Sequence, residues 1–358
     1  MSPTSYAIVG SGYRSGYFLR IARALPERFR VAGVVTRTAE RGAEVTAEWG
    51  VPTFRTLEDL TAADRPEFAI ISVPWSVTPD AIRESVALGI PVLAETPPAP
   101  DLDGLRALWA DVGAGGLVQV AEQYLLDPPY AAALAVVRDG VIGRPTSVQL
   151  SSTQLYHAVS LIRGLLGIGF EPAEVSARAF VAPAANPSTR GGWTGGTTPQ
   201  DLTTTLATID FGGRMGLYDY TDNQWRNPIR TNRLVVRGSL GEIVDNEVIR
   251  MLDGSTPVQS PFLRRHTAGD LTVAGLDLEH ISLDGKPVYR NPYNGALFPD
   301  DDIAVAALIE QTGAWCRDEG PAPYPLADAC QDHHIGLAIG ESVATGKPVV
   351  TSAEAWAK

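Results

Sequence analysis

The residues best suited to chemistry begin close to the start of the chain, in Gly10-Ser11-Gly12-Tyr13-Arg14-Ser15. Glycines at 10 and 12 let a backbone turn tightly and approach a pyrophosphate, whose charge the free N–H groups of a following helix then stabilise. The third glycine of the dinucleotide pattern is replaced by Ser15, with Gly16 one place later. In such folds the end of the next strand meets the cofactor's ribose. Here Val34-Val35 is followed by Thr36-Arg37, where a carboxylate would bind a free 2′-hydroxyl. A hydroxyl and a guanidinium suit a 2′-phosphate, so NADP is the expected cofactor, NAD is the alternative, and Arg41 is placed to substitute for Arg37.

A second group gathers around His157 in Leu155-Tyr156-His157-Ala158-Val159. Imidazole has the ordinary pKa nearest neutrality and so takes or returns a hydroxyl proton most readily; the phenols of Tyr156 and Tyr124 are weaker candidates. Leu155, Ala158, Val159, Ile162 and Leu166 form one apolar helical stripe, which leaves His157 on another with Thr153 and Ser160. Glu122, Gln123 and Tyr124 follow an apolar run, where open α/β sheets bind ligands beyond the carboxyl ends of strands, and are expected to contact substrate or to form an interdomain hydrogen-bonding cluster. Trp75, after Val73-Pro74, ends an earlier run and is expected either to lie near a nicotinamide or to pack.

Trp193, in Arg190-Gly191-Gly192-Trp193-Thr194-Gly195-Gly196, is expected to stack on a sugar or to meet another subunit. Asn223-Gln224-Trp225-Arg226 is expected to line a polar pocket or to cap a loop. His333 and His334 beside Asp332 point about 100° apart on a helix and have no evident third ligand, so no metal site is expected.

The elements that must position these residues are legible as alternating runs. Strands are predicted over 6–9, 31–35, 68–73, 91–94 and 117–120, with helices between them at 18–25, 39–49, 80–88 and 102–112. Continuous apolar strands alternating with helices predict a doubly wound parallel sheet, α/β in class. Past Tyr124 the character changes. A helix around 130–138 leads into segments that alternate apolar and polar, at 148–150, 174–177, 206–209 and 215–218, which predict a mostly antiparallel sheet. Phe211-Gly212-Gly213-Arg214 reads as a two-residue hairpin turn, 182–200 as a Gly-, Pro- and Thr-rich loop, and 326–345 as a last helix capped by Gly346. The expected division is a dinucleotide domain over 1–124 and a substrate and oligomerisation domain over 125–358.

Composition limits the classes open to the 358 residues. The length allows about two domains. A formal charge of -12, with no basic cluster, argues against nucleic acid as a partner. No apolar stretch reaches the 18 or so residues of a membrane span, and no leader-like segment opens the chain. With only Cys316 and Cys330, the expected address is the cytoplasm. Of the 29 basic residues just three are lysines: Lys286, Lys347 and Lys358.

Taken in order, these motifs resemble the glucose-fructose oxidoreductase, inositol dehydrogenase and MocA family. The resemblance rests on Gly10-Ser11-Gly12, Val73-Pro74, Glu95-Thr96-Pro97, Ile142-Gly143-Arg144-Pro145, Leu234-Val235-Val236-Arg237-Gly238 with Gly241-Glu242-Ile243, and Thr345-Gly346-Lys347-Pro348-Val349. It implies a Rossmann domain followed by an α/β domain with a large sheet, a homodimer or homotetramer, and hydride exchange between a nicotinamide and a sugar, cyclitol or glycoside hydroxyl. It also implies a cofactor contact at Glu95. The family's lysine position holds Thr96, left to orient the substrate hydroxyl, and its aspartate position holds Thr153, while the histidine is kept as His157. Such a departure leaves two rivals to a dehydrogenase. One is a nucleotide-binding sensor; the other is a lyase or hydrolase that oxidises a glycoside transiently with no net redox.

Overall fold

The computed structural model describes residues 2–268 and 275–357. The first unit is a six-stranded parallel sheet built from β1 (Thr4–Val9), β2 (Phe29–Val35), β3 (Thr53–Phe54), β4 (Phe68–Ile71), β5 (Val92–Ala94) and β6 (Val118–Val120), in the order β3-β2-β1-β4-β5-β6. Helices α1 (Ser15–Ala24), α2 (Ala39–Trp49), α3 (Leu57–Ala63), α4 (Thr78–Ala87) and α5 (Leu102–Val112) connect them. Both faces of the sheet are buried, which is why its strands read as unbroken apolar runs. Tyr6, Ile8, Phe68, Ile70 and Leu93 point to one core, whereas Ala7, Ala69, Ile71, Val92 and Ala94 point to the other.

The chain then runs through α6 (Pro128–Arg138), β7 (Pro145–Ser151) and α7 (Leu155–Leu166) into β8 (Glu174–Ala185), the short ribbon β9 (Ser188–Thr189) and β10 (Gly192–Trp193), β11 (Pro199–Asp210) and β12 (Met215–Thr221). It continues with β13 (Arg233–Gly238), β14 (Gly241–Val244), β15 (Glu247–Met251), β16 (Pro257–Pro261), β17 (Leu263–Thr267), β18 (Asp277–Leu283) and β19 (Lys286–Arg290). Helices α8 (Asp300–Cys316) and α9 (Leu326–Thr345) and strand β20 (Val349–Val350) finish it. Nine of these strands form one sheet, ordered β16-β15-β14-β13-β7-β12-β11-β8-β20, in which β7–β12 is the parallel pair. The architecture is therefore a Rossmann-type parallel sheet followed by a large, mostly antiparallel one.

One expectation is corrected in shape. Residues 182–200 are not an irregular loop: β8 and β11 pair continuously from Glu174–Asp210 out to Ala185–Pro199, and only the tip between them folds into the β9–β10 ribbon. A hairpin this long reads poorly in sequence because both its faces are exposed near the tip, which erases the apolar alternation. The turn at 211–214 is as read, with Phe211 N–H donating to the Arg214 carbonyl and Gly212 and Gly213 at φ of 73° and 100°.

Three packing features join the halves. Helix α8 lays Ile303, Val305, Ala306 and Ile309 over the core that holds Tyr6, Phe18 and Phe68. Helix α9 puts Leu326 and Ala329 into the other core of the parallel sheet and Ile335, Ala338 and Ile339 into the core beneath the large sheet. Asp127, the residue before α6, faces the Asp300 and Asp301 side chains at the start of α8. It makes no capping bond, and its buried Oδ1 has no partner among the described residues.

Burial, reinforced by those neighbouring carboxylates, pushes the Asp127 carboxyl up to about 8. A carboxyl held above its unfolded pKa stabilises the fold most below about pH 4, and that contribution is lost as pH rises through about 8. Asp127→Asn should therefore come within about 1 kcal/mol of the parent near pH 4.5 and gain on it by up to about 5 kcal/mol at pH 8.5. Urea unfolding at the two pH values measures this, and a pH-independent difference would contradict it.

Candidate active site

Between the carboxyl ends of the parallel strands and the large sheet lies a cleft of about 1080 Å³. Its floor is the glycine turn. Gly10 sits at φ 108°, and a Cβ there would come within 2.1 Å of the Ser72 carbonyl oxygen, so only glycine allows β1 and β4 to approach this closely at the turn. Ser15 Oγ donates to the Gly10 carbonyl at 3.1 Å, the task left by a third glycine's absence. Helix α1 begins here with no side-chain cap and no acidic residue in its first turn, which leaves amide donors open to an anion. This cradle fits a dinucleotide pyrophosphate.

At one end the cleft is lined by Val35, Thr36, Arg37, Thr38, Arg41 and Arg55. Thr36 is buried and its Oγ1 accepts from Arg55 Nη1 at 3.0 Å, while Arg41 donates to Ser11 Oγ at 3.1 Å and to the Ser11 carbonyl at 2.9 Å. Arg55 escaped the sequence reading because β3, which precedes it, has two residues and no apolar period. In the middle, Arg14 donates to Glu95 at 3.0 Å and stands 4.0 Å from Asp301, so both carboxylates that line the cleft share one guanidinium. Val73, Pro74 and Trp75 form the adjoining wall.

The other end belongs to α7. Its first residue, Leu155, has φ 39°, costly for a side-chain-bearing residue, and its N–H donates to the Tyr218 hydroxyl at 3.2 Å. That start turns Tyr156 and His157 toward the cleft. His157 Nδ1 lies 2.6 Å from Glu122 Oε2, and Glu122 also accepts the Tyr124 N–H at 3.3 Å. With the carboxylate on Nδ1, that nitrogen carries the hydrogen and Nε2 is left as the acceptor. The ring is held between Tyr124 and Tyr156, at centroid distances of 4.7 and 4.4 Å, and Trp225 meets Tyr124 edge-on at 5.6 Å. Burial raises both phenols above the ordinary tyrosine range, even though Tyr124 bonds to Thr153 and Tyr156 to Thr96. Neither is suited to act as a base near neutrality.

The expected contacts thus come together in part. Gly10, Ser11, Gly12, Tyr13, Arg14, Thr36, Arg37, Val73, Pro74, Trp75, Glu95, Thr96, Tyr124, Thr153, Tyr156, His157 and Trp225 all line the cleft. Three residues do not. Glu122 is buried behind His157 instead of facing the substrate space, because its carboxylate is used up by the imidazole and the Tyr124 amide. Trp193 is 77% exposed on the outside of the ribbon, and its neighbour Arg190 enters the cleft instead. Asn223 donates to Asn186 Oδ1 at 2.6 Å and to the Ser188 carbonyl at 2.7 Å, fastening the hairpin tip from outside the cleft. Gln123, Gln154, Tyr220, Arg226 and Asp301 also line it. Of the lysines, Lys286 and Lys347 lie away from the cleft and Lys358 falls outside the described residues. His333 packs edge-on against Tyr156 and His334 against Trp356, so the pair serves two packing contacts.

Comparison with known proteins agrees with this geometry. Residues 4–122 match the family described as oxidoreductase family, NAD-binding Rossmann fold, GFO_IDH_MocA. Over 181 residues the chain is 29% identical to an inositol 2-dehydrogenase of Streptomyces avermitilis, a match spanning 45% of this chain and about half, 52%, of that protein. Among solved structures, a levoglucosan dehydrogenase in complex with NADH and levoglucosan aligns over 98% of this chain and 99% of its own, with a TM-score of 0.70 and 17% identity. A myo-inositol dehydrogenase from Corynebacterium glutamicum aligns over 98% and 99%, with a TM-score of 0.66 and 18% identity. At such identities the structural likeness establishes the fold. Glycine turn, strand order and sequence match together identify residues 4–122 as an NAD-binding Rossmann unit similar to that of the glucose-fructose oxidoreductase, inositol dehydrogenase and MocA family.

Proposed function

We propose that the protein is an NAD(P)-dependent dehydrogenase that oxidises a secondary alcohol of a sugar, cyclitol or glycoside, with His157 as the proton acceptor. The observation that carries this reading is the 2.6 Å contact of Glu122 with His157 Nδ1 at the end of a dinucleotide-shaped cleft. When bound, the nicotinamide supplies the hydride acceptor. The chain's part is to place the alcohol, take its proton at His157 Nε2 and steady the resulting imidazolium with the Glu122 carboxylate. Thr96, Thr153 and Tyr156 offer hydroxyls that orient the substrate. Trp225 and Tyr124 offer the aromatic surfaces on which a sugar face packs. Lining of this kind, polar groups among aromatic walls, favours a polyhydroxylated neutral substrate.

The test is a panel of sugars, cyclitols and glycosides followed at 340 nm with parallel product analysis. Net cofactor reduction with a ketone product supports the reading. Cleavage without reduction, or binding without turnover, replaces it with a lyase or a sensor. On a substrate found this way, His157→Ala should lower kcat at least about a hundredfold at unchanged cofactor Kd. Glu122→Gln should cost about tenfold or more, because an amide cannot stabilise the imidazolium. Full activity of the His157 variant would assign the imidazole a packing role.

We also propose NADP as the preferred cofactor. Arg37, Arg41 and Arg55 surround the end of β2 beside a threonine in place of an acid, a setting for a 2′-phosphate. Arg37→Asp should reverse the preference, and Arg55→Ala should weaken NADP about tenfold with little effect on NAD. Calorimetric titration decides, and tighter binding of NAD by the parent protein would refute the preference.

A further inference from the structure

Three of the six guanidiniums that line the cleft, those of Arg14, Arg41 and Arg55, already have work within the fold. Arg14 is shared by Glu95 and Asp301, and Arg41 is bonded to Glu44 and Ser11. Arg190 and Arg226 are different. Both line the cleft, and neither has a carboxylate within 4.0 Å among the described residues. They come from opposite places in the second half of the chain: Arg190 from the β9–β10 ribbon at the tip of the β8–β11 hairpin, and Arg226 from the short 3-10 turn Gln224–Arg226 after β12.

They nevertheless converge on one residue of the glycine turn. The Arg190 guanidinium lies 4.8 Å from the centre of the Tyr13 ring, and Arg226 faces the Tyr13 hydroxyl. That hydroxyl is drawn below the ordinary tyrosine range, first by its 3.0 Å bond with Tyr17 and then by these two cations. The ribbon and the turn are also tied to each other. Asn223, in the left-handed conformation at φ 58°, donates to Asn186 Oδ1 and to the Ser188 carbonyl, and Asn227 Nδ2 donates to the Ala185 carbonyl at 2.9 Å. Two carboxylate-free cations are thereby held as a unit over the turn whose backbone amides await an anion.

We infer that Arg190 and Arg226 are dinucleotide-binding residues contributed by the second sheet, and that the hairpin tip is a strap that grips the cofactor's pyrophosphate from the side opposite α1. This inference rests on the dinucleotide reading of the cleft and extends it. A pyrophosphate bound only by backbone amides and a helix terminus is open to water on its outer face; two forked guanidiniums cover that face with charge-assisted bonds. The strap also explains why a stretch of Gly, Pro and Thr is tied down by two asparagine side chains: its position over the turn must be defined.

The experiment compares the full chain with Arg190→Ala, Arg226→Ala and the double variant in fluorescence titrations with NADPH and NADH, using 2′-AMP, which lacks the pyrophosphate, as control. Each single variant should weaken the tighter dinucleotide about tenfold and the double variant about a hundredfold, with 2′-AMP unchanged within about twofold. Trypsin supplies a second reading on the parent protein, because it cuts after Arg190: NADPH should slow that cut and 2′-AMP should not. Dinucleotide affinity that survives the double variant, or an equal loss for 2′-AMP, overturns the strap. Failure of the parent protein to bind either dinucleotide overturns the cofactor reading itself and the strap with it.

Discussion

A carboxylate removed from water must find partners or lose its charge, and Glu122, 3% exposed at the end of the parallel sheet, finds them in two places. One is the backbone of Tyr124, two residues on; the other is His157, on a helix that packs against the large sheet. This single contact crosses from one half of the fold to the other. It sets the imidazole's tautomer and its ring orientation at once. Removing either partner strands the other, which makes the pair structural and chemical together.

Charge in the cleft runs against that of the molecule. The chain carries -12 overall, yet six arginines line the cleft, and the two carboxylates that reach it are engaged with Arg14. Clefts lined by one sign of charge concentrate ligands of the other, so a polyanionic cofactor is drawn to a protein whose remaining surface repels it. Arginine suits the six cleft positions, because guanidinium stays charged in a partly dry site and matches phosphate geometry.

Much of the site near the glycine turn was legible because each of its residues lies at a strand end, and strand ends in a parallel sheet show as breaks in apolar runs. Gly10, Thr36, Val73 and Glu95 fall at such breaks. The second half is harder to read. Trp193 drew attention by its bulk, but on a two-sided exposed ribbon bulk says nothing about direction, and it is Arg190, three residues earlier, that turns inward. For Glu122 the sequence leaves a ligand contact and an interdomain hydrogen bond both open, because position along the chain does not show which side of a strand end is occupied by a histidine 35 residues away. Asp301 sits in a run of three aspartates that suits any helix start, and only the fold brings it to Arg14.

The packing of α8 sets the order in which the chain can mature on the ribosome. Tyr6, Phe18 and Phe68 belong to a core that is closed by Ile303, Val305 and Ile309, from a helix starting at Asp300. At about 5 to 20 residues per second, roughly 10 to 40 s of synthesis separate the last strand of the first sheet from the helix that covers it. Through that interval Phe18, Leu19 and Ile21 of α1 and Val45 of α2 cover part of this core, and the portion that α8 will bury stays open. The first core therefore closes only once the C-terminal third is made, although residues 4–122 already carry the match to the NAD-binding Rossmann fold.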